Sequence, residues 1–596
     1  MRFAVALLLA TSLMPVATAA QQPAAPASSA ASTAFAGVSR AYLDGIARLN
    51  PTGATQLGDH RYDDKLPDVS AKGRAEVVAF GQRVLADLAR IDRARLNPSE
   101  RVDAVLLENA LRYDLWRKLD YQSWAWDPQQ YNAVAGGSLY GLAKRDFAPW
   151  PQRLIAASAR MEAMPAMLAE ARRQLLPARV PKVYAETVAK QNGGIVTIVE
   201  TMLVPQAEQL GTADRARFDT AFAGLKIAVA EHQRWLDTML VPQAAGDFRL
   251  GAKRYDEMVR FALVGGLDRT EIKRRATAAF ADTRAQMYAI ARTVVSGGAK
   301  LPATPGEAQQ QSTIDAALEL SYAKAPPRDR VIAVATRTLA EATAFARDKQ
   351  LMTLPAAPVK IIEMPKFQQG VSVAYLDAPG PLEVNLPAFY AISPIPANWT
   401  DAQATSFLRE YNEYMLHDLS IHEGVPGHYL QLAVANGKQS PLRAVLASGP
   451  FIEGWAVYSE GVMMDAGYLN DRPGLDGPLF KLTVLKMRLR SITNALLDIG
   501  IQTEGMTREA AMMLMTKGAF QQESEAAGKW TRASLGAVQL LSYFTGYSEH
   551  VALRKAAEAR AGKAFDMKRY HDTVLSFGSP PTRFVRALLF DEPIPN

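Results

Sequence analysis

Cysteine is absent from the entire sequence. No disulfide, thiolate metal ligand or cysteine nucleophile is therefore available. No block of lysine and arginine is dense enough to mark a nucleic-acid surface, and a net charge of +7 over 596 residues is mild. Beyond the N-terminus no uninterrupted apolar run is long enough to span a bilayer. There is no G-x-S-x-G elbow. Ser321-Tyr322-Ala323-Lys324 matches S-x-x-K, but no K-T-G accompanies it, which disfavours serine hydrolase chemistry. Histidine is scarce, with seven in the chain. The rest is ordinary for a globular protein, with enough length for a large core and more than one lobe.

The N-terminus reads as a signal peptide over residues 1–20. Arg2 supplies the positive end, Phe3 to Leu13 the apolar run, and Ala17-Thr18-Ala19 a small-residue cleavage site. With no cysteine to follow, a lipoprotein anchor is excluded, and a periplasmic or secreted soluble protein is expected. The alternative is a short uncleaved anchor. Residues 21–34 are rich in Ala, Pro, Ser and Gln and read as a flexible linker, with order beginning near Phe35.

Residues 35–350 carry mostly amphipathic helical patterning, as in Val102, Leu106, Leu107, Leu111 and Leu115. Pro149, Pro165, Pro177, Pro181, Pro205 and Pro242 punctuate it as expected helix boundaries. The texture changes over 351–596. Pro358 to Met364, Val371 to Leu376 and Glu383 to Leu386 read as short strands of a small sheet of two to four. Thr400-Asp401 then opens a helix whose pattern runs through Phe407, Tyr411, Met415 and Leu419 to His422.

That helix delivers His422-Glu423-Gly424-Val425-Pro426-Gly427-His428, followed by Glu453-Gly454-Trp455-Ala456. Two histidines and a later glutamate are the ligand set of a catalytic zinc site, and the Glu beside the first His is its general base. The spacing departs from H-E-x-x-H. Six residues turn an ideal helix by about 600°, leaving His428 about 120° from His422. Pro426 and Gly427 lie inside the gap, where a break or rewinding can re-aim His428. The alternative, two surface histidines flanking a kink, leaves Glu423 and Glu453 to chance. Glu460, seven residues after Glu453 on the same helical face, reads as a metal ligand or as a partner of a ligand imidazole, with a structural salt bridge as the alternative. His417 reads as second shell or core, and His60 as a loop histidine in a polar turn.

His-Glu-x-x-Pro-Gly-His followed by Glu-Gly-Trp-Ala-x-Tyr-x-Glu resembles the DUF885 family of bacterial proteins, itself grouped by resemblance with zincin-like metallopeptidases. The likeness extends to Pro51–Ser70, to Gly251–Phe261 and to the stretch from Gln539 through Pro581. It departs at Gln502, where the family often has His, and at Lys529 and Gly536. The resemblance implies a mainly α, large helical zincin-like (gluzincin-related) fold, with a small sheet beside the active-site helix. It implies one Zn²⁺ per chain held by His422, His428 and Glu453, with manganese or cobalt as other options. Tyr543 and His571 are then candidates to stabilise the oxyanion, and Arg554 to pair with a substrate carboxylate. Val384 to Tyr390, including Asn385 and Tyr390, is the candidate edge strand that holds a peptide by strand addition, the alternative being that these strands merely pack against the helices. The expected activity is that of a zinc peptidase, an oligopeptidase or carboxypeptidase with Glu423 as general base, acting on peptides or other small substrates. Its rivals are a metallohydrolase of a non-peptide ester or amide, and a non-catalytic periplasmic binding protein.

Overall fold

A computed structural model describes residues 29–296, 300–364, 374–383, 386–396, 399–436 and 439–595. The chain is mainly helical with one small sheet. The expected signal peptide and residues 21–28 of the expected linker lie outside the described residues. The linker expected as far as residue 34 ends earlier: a helix spans Ala30–Leu49, capped by the Ser29 side chain, which accepts from the amide of Ser32. Among the described residues no helix is long and apolar enough to cross a membrane.

Pro149 and Pro181 cap helices as their ring chemistry favours, but Pro165 lies inside the helix Trp150–Gln174. Pro165 itself is exposed, so its ring projects into solvent rather than into the core, and the helix continues past it.

The sheet has three strands, β1 (Lys360–Glu363), β2 (Ala374–Asp377) and β3 (Phe389–Ile392), in the order β1-β3-β2. β3 pairs parallel with β1 and antiparallel with β2. The expected strand at Glu383–Leu386 is not formed at Glu383 or Leu386. Glu383 instead closes a tight loop, its carboxylate accepting from the Gly380 amide, and Pro387 lacks an amide with which to continue a ladder.

Thr400 does cap a helix. Its side chain and Gln403 form a reciprocal capping box at the start of Asp401–Glu410. The single helix expected as far as His422 is split, however. Asn412 accepts from the amides of Tyr414 and Met415 and starts a second helix, the motif helix Glu413–Leu419. The glutamate helix, Gly449–Asp465, packs across the helix Leu541–Ala561 in backbone contact. A Cβ on Gly454 would lie 2.2 Å from the Gly546 carbonyl carbon, and one on Gly546 would lie 1.8 Å from the Pro450 oxygen, so neither position has room for a side chain. Phe451, Trp455, Tyr458, Leu430, Phe480 and Val574 fill the core beneath this crossing.

Candidate metal centre and cavity

The motif helix does not stay regular. Ser420–Gly424 forms a widened π turn, closed by the Val425 amide on the Ser420 carbonyl at 3.2 Å. Val425 is extended, and helix resumes at His428–Asn436. Three contacts fix this break. The Gly427 amide donates to the Ile421 carbonyl at 2.9 Å, while the Trp455 indole and Ser459 hydroxyl donate to the Pro426 carbonyl at 2.9 and 3.2 Å. A Cβ on Gly427 would lie 2.0 Å from the His422 oxygen, so the turn requires glycine.

The broken helix brings together what a straight one would separate. The imidazole rings of His422 and His428 stand 4.7 Å apart and perpendicular. Glu453 from the glutamate helix approaches His428 Nε2 at 3.5 Å. One donor atom from each of His422, His428 and Glu453 falls within 4.8 Å of the others. Two turns along the same helix, Glu460 meets His422 Nδ1 at 2.7 Å. That contact orients the ring and leaves Nε2 directed to the common point.

Burial dominates the electrostatics. It pushes His422 down to about 4, with the neighbouring His428 adding to the shift, so its ring is neutral at neutral pH. Burial opposes ionisation of Glu453, but the hydrogen bond and charge of His428 outweigh it and hold the carboxyl below its usual range. Burial drives Glu460 well above the carboxylate range, as it does Asp418 one turn before His422. Glu423 Oε2 accepts the Leu376 amide of β2 at 2.8 Å, tying the sheet to the motif.

These residues open on a cavity of about 1180 Å³ lined also by Ala374, Tyr375, Arg490, Lys529, Arg532 and Tyr543. Tyr543 is at the cavity as expected, its hydroxyl oxygen accepting from Arg532 at 3.1 Å and Gln539 at 3.3 Å.

Several expectations are corrected. His571 is wholly buried, with Nε2 on the Tyr458 hydroxyl and Nδ1 on the Leu351 carbonyl, both at 2.8 Å, so it has no free nitrogen for catalysis. Arg554 pairs with Glu558 at 2.8 Å and is not among the residues lining the cavity. Tyr390 is fully buried in β3, the middle strand of the sheet, so the edge facing the site belongs to β2 instead. Asn385 lies outside the described residues. His417 is a core histidine rather than a partner of the ligands, bonded through Nδ1 to the Tyr468 hydroxyl at 2.9 Å. His60 is the loop histidine expected, held by Asp63 at 2.9 Å and stacked on Phe147. Gln502 is structural: it accepts from the Leu250 amide and donates to the Ala533 and Gly536 carbonyls, fixing the segment that lines the cavity.

Sequence reasoning assigned no role to Asp418, Arg490, Lys529 or Arg532. For Asp418 a signal existed, since it precedes His422 by one helical turn. The three basic residues came from segments with no metal motif to mark them.

Comparison with known proteins places these observations in a family. No curated protein matches the chain. Among solved structures, a proposed lipoprotein of unknown function from Shewanella oneidensis is 33% identical, with a TM-score of 0.79 over 93% of this chain and 99% of its own. A proposed lipoprotein from Colwellia psychrerythraea, 17% identical, shares the fold with a TM-score of 0.74 over 94% of this chain and 98% of its own. The model of a bacterial protein family of unknown function, DUF885, matches residues 51–589, and the chain belongs to that family.

Proposed function

We propose that the protein is an exported, zinc-dependent peptidase of the zincin type. The reading rests on one observation: His422, His428 and Glu453 converge at a single point in the cavity that also holds Glu423. The residues fit such an ion. Two imidazoles and a carboxylate suit zinc, the His422 ring has its far nitrogen engaged by Glu460, and all three donors reach one position. When bound, zinc supplies Lewis-acid polarisation of a carbonyl and acidifies water.

The protein's own groups divide the remaining work. Glu423 Oε2 is occupied by the Leu376 amide, which leaves Oε1 to take a proton from water and pass it to the leaving amine. Arg532 and Gln539 both donate to the Tyr543 oxygen, so the hydroxyl hydrogen is free to donate to a developing oxyanion. The outer edge of β2 at Ala374–Leu376 borders the cavity, and its backbone groups other than the Leu376 amide, which Glu423 holds, can receive an extended peptide by strand addition.

Export draws support from the signal-like N-terminus and from the description of both similar structures as lipoproteins. This sequence holds no cysteine to carry a thioether-linked lipid.

The test is elemental analysis of protein purified without chelator, beside the His422→Ala/His428→Ala double variant. About one zinc per chain is expected, lost in the variant. Glu423→Gln keeps its zinc and loses about 10²-fold or more in turnover, and a panel of peptides and esters separates peptidase from esterase action. Wild-type protein that takes up no zinc when zinc is supplied overturns the reading.

A further inference from the structure

The chemistry above uses one side of the cavity. The other wall comes from the helices Asp476–Thr503 and Glu523–Ser534, and its ionisable groups pair off one by one. Glu410 takes Lys486 at 2.8 Å, and Glu525 takes Arg490. Asp498 receives the Tyr255 hydroxyl at 2.9 Å and the Val538 amide at 2.7 Å. Two cations remain. Among the described residues, Lys529 and Arg532 have no ion pair with any carboxylate. Lys529 Nζ donates to the neutral Asn494 amide oxygen at 3.1 Å, and Arg532 donates to Gln539 and Tyr543.

Lys529 is only 5% exposed. Burial, with Arg490 nearby, outweighs the opposing pull of the already paired Glu525 and Glu410 and drives its ammonium group well below the usual lysine range. A buried ammonium with one neutral acceptor is an unfavourable arrangement that an incoming anion relieves. Arg532 lies three residues on, a spacing that puts both side chains on one helical face. Its guanidinium presents a planar fork suited to a carboxylate. Arg532 also touches the Tyr543 hydroxyl at 3.1 Å and helps keep Glu453 ionised, so the two cations adjoin the metal centre.

Resting on the peptidase reading, we infer that Lys529 and Arg532 receive the C-terminal carboxylate of a peptide, one residue beyond the scissile bond, which makes the enzyme a carboxypeptidase. The carboxylate lies between the buried ammonium and the exposed guanidinium. Tyr543 stands between this position and the scissile carbonyl. The hydrolysis step is unchanged: water adds across the last peptide bond, and the C-terminal amino acid leaves with its carboxylate still bound.

The test uses two peptides of one sequence, a free acid and a C-terminal amide, and a third in which the last residue is replaced by aspartate amide. Calorimetry measures their binding to zinc-loaded Glu423→Gln protein, which cannot turn them over. The free acid is expected to bind at least about tenfold more tightly than the plain amide. Adding Arg532→Gln or Lys529→Met is expected to abolish that preference. Arg532 is exposed, so its variant folds even if the lysine variant does not. Equal binding of free acid and amide overturns the inference, as does equal binding of the free acid and the aspartyl amide. Wild-type hydrolysis separates the two claims. Equal cleavage of acid and amide leaves the peptidase reading standing and sinks the carboxylate site. A binding preference for the acid with no cleavage of any peptide does the reverse.

Discussion

Gly427→Ala is the sharpest perturbation of the proposed metal centre that leaves every candidate ligand in place. Gly427 is not among the glycines with positive φ, so alanine is excluded there by contact alone. The added methyl would sit 2.0 Å from the His422 oxygen and 2.3 Å from the Ile421 oxygen, both main-chain atoms. Relief requires the two strands of the turn to part by about 1 Å or more, given the tight packing of interiors. Such parting breaks the Gly427–Ile421 hydrogen bond, at about 1 kcal/mol, and adds overpacking strain of about 1–3 kcal/mol. Because His422 and His428 lie on opposite sides of the turn, their separation changes with it. A displacement of about 1 Å at a preorganised centre costs about 10²-fold in function. Zinc affinity, measured by competition with a chromogenic chelator, is therefore expected to fall about 100-fold, with a lowered thermal midpoint. Gly194→Ala, at a helical site with nothing within 4 Å of the added Cβ, is the control and is expected to be neutral or slightly stabilising. Undiminished zinc affinity and an unchanged midpoint in Gly427→Ala would refute the steric account of the turn.

Further outcomes follow from other contacts. Glu460→Gln replaces the carboxyl group that meets His422 without removing a candidate ligand, and is expected to weaken zinc binding about 10- to 100-fold in the same competition assay; no change would mean the contact is merely structural. Gly546→Ala places a methyl against the Pro450 oxygen and is expected to cost about 1–3 kcal/mol in chemical denaturation, with a wild-type midpoint counting against the close crossing. For His60, burial lowers proton affinity, but Asp63 and Glu383 overcome it and raise the ring to about 9. Its folded pKa lies above its ordinary 6.5, so its stabilising contribution is whole below about pH 6.5 and disappears as pH rises through about 9. The stability gap between wild type and His60→Gln should accordingly narrow over that window, and a gap that widens with pH would reverse the assignment.

The candidate ligand set was legible in the sequence because its residue types are rare: with seven histidines, a His-Glu pair six residues before another His stands out. What the sequence did not show was how the spacing is accommodated. The widened turn at Ser420–Gly424 is stabilised from outside, by Trp455 and Ser459 reaching the Pro426 carbonyl, and no local propensity encodes such a contact. The Asn412 cap was readable in principle, yet the apolar periodicity of Phe407, Tyr411 and Met415 continues across it and masks the break. Strand patterning located β1 and part of β2, but pairing order is a long-range property, so β3 became the middle of the sheet rather than its edge. Arginines are the plainest case. Arg554 has Glu558 one helical turn on, a pairing the spacing alone suggests, whereas only the fold decides that Arg532 faces the cavity without a carboxylate.

The crossing of Gly454 and Gly546 bears on the cavity's width as well as on packing. Glu453 adjoins one of these glycines in sequence, and Tyr543 lies one helical turn before the other. The candidate ligand Glu453 and the Tyr543 hydroxyl, which both line the cavity, are thus mounted on two rods whose spacing is gauged by two missing methyl groups. A chain with side chains at both places would hold its rods farther apart, and the gap between ligand and hydroxyl would widen even if every residue facing the substrate stayed the same.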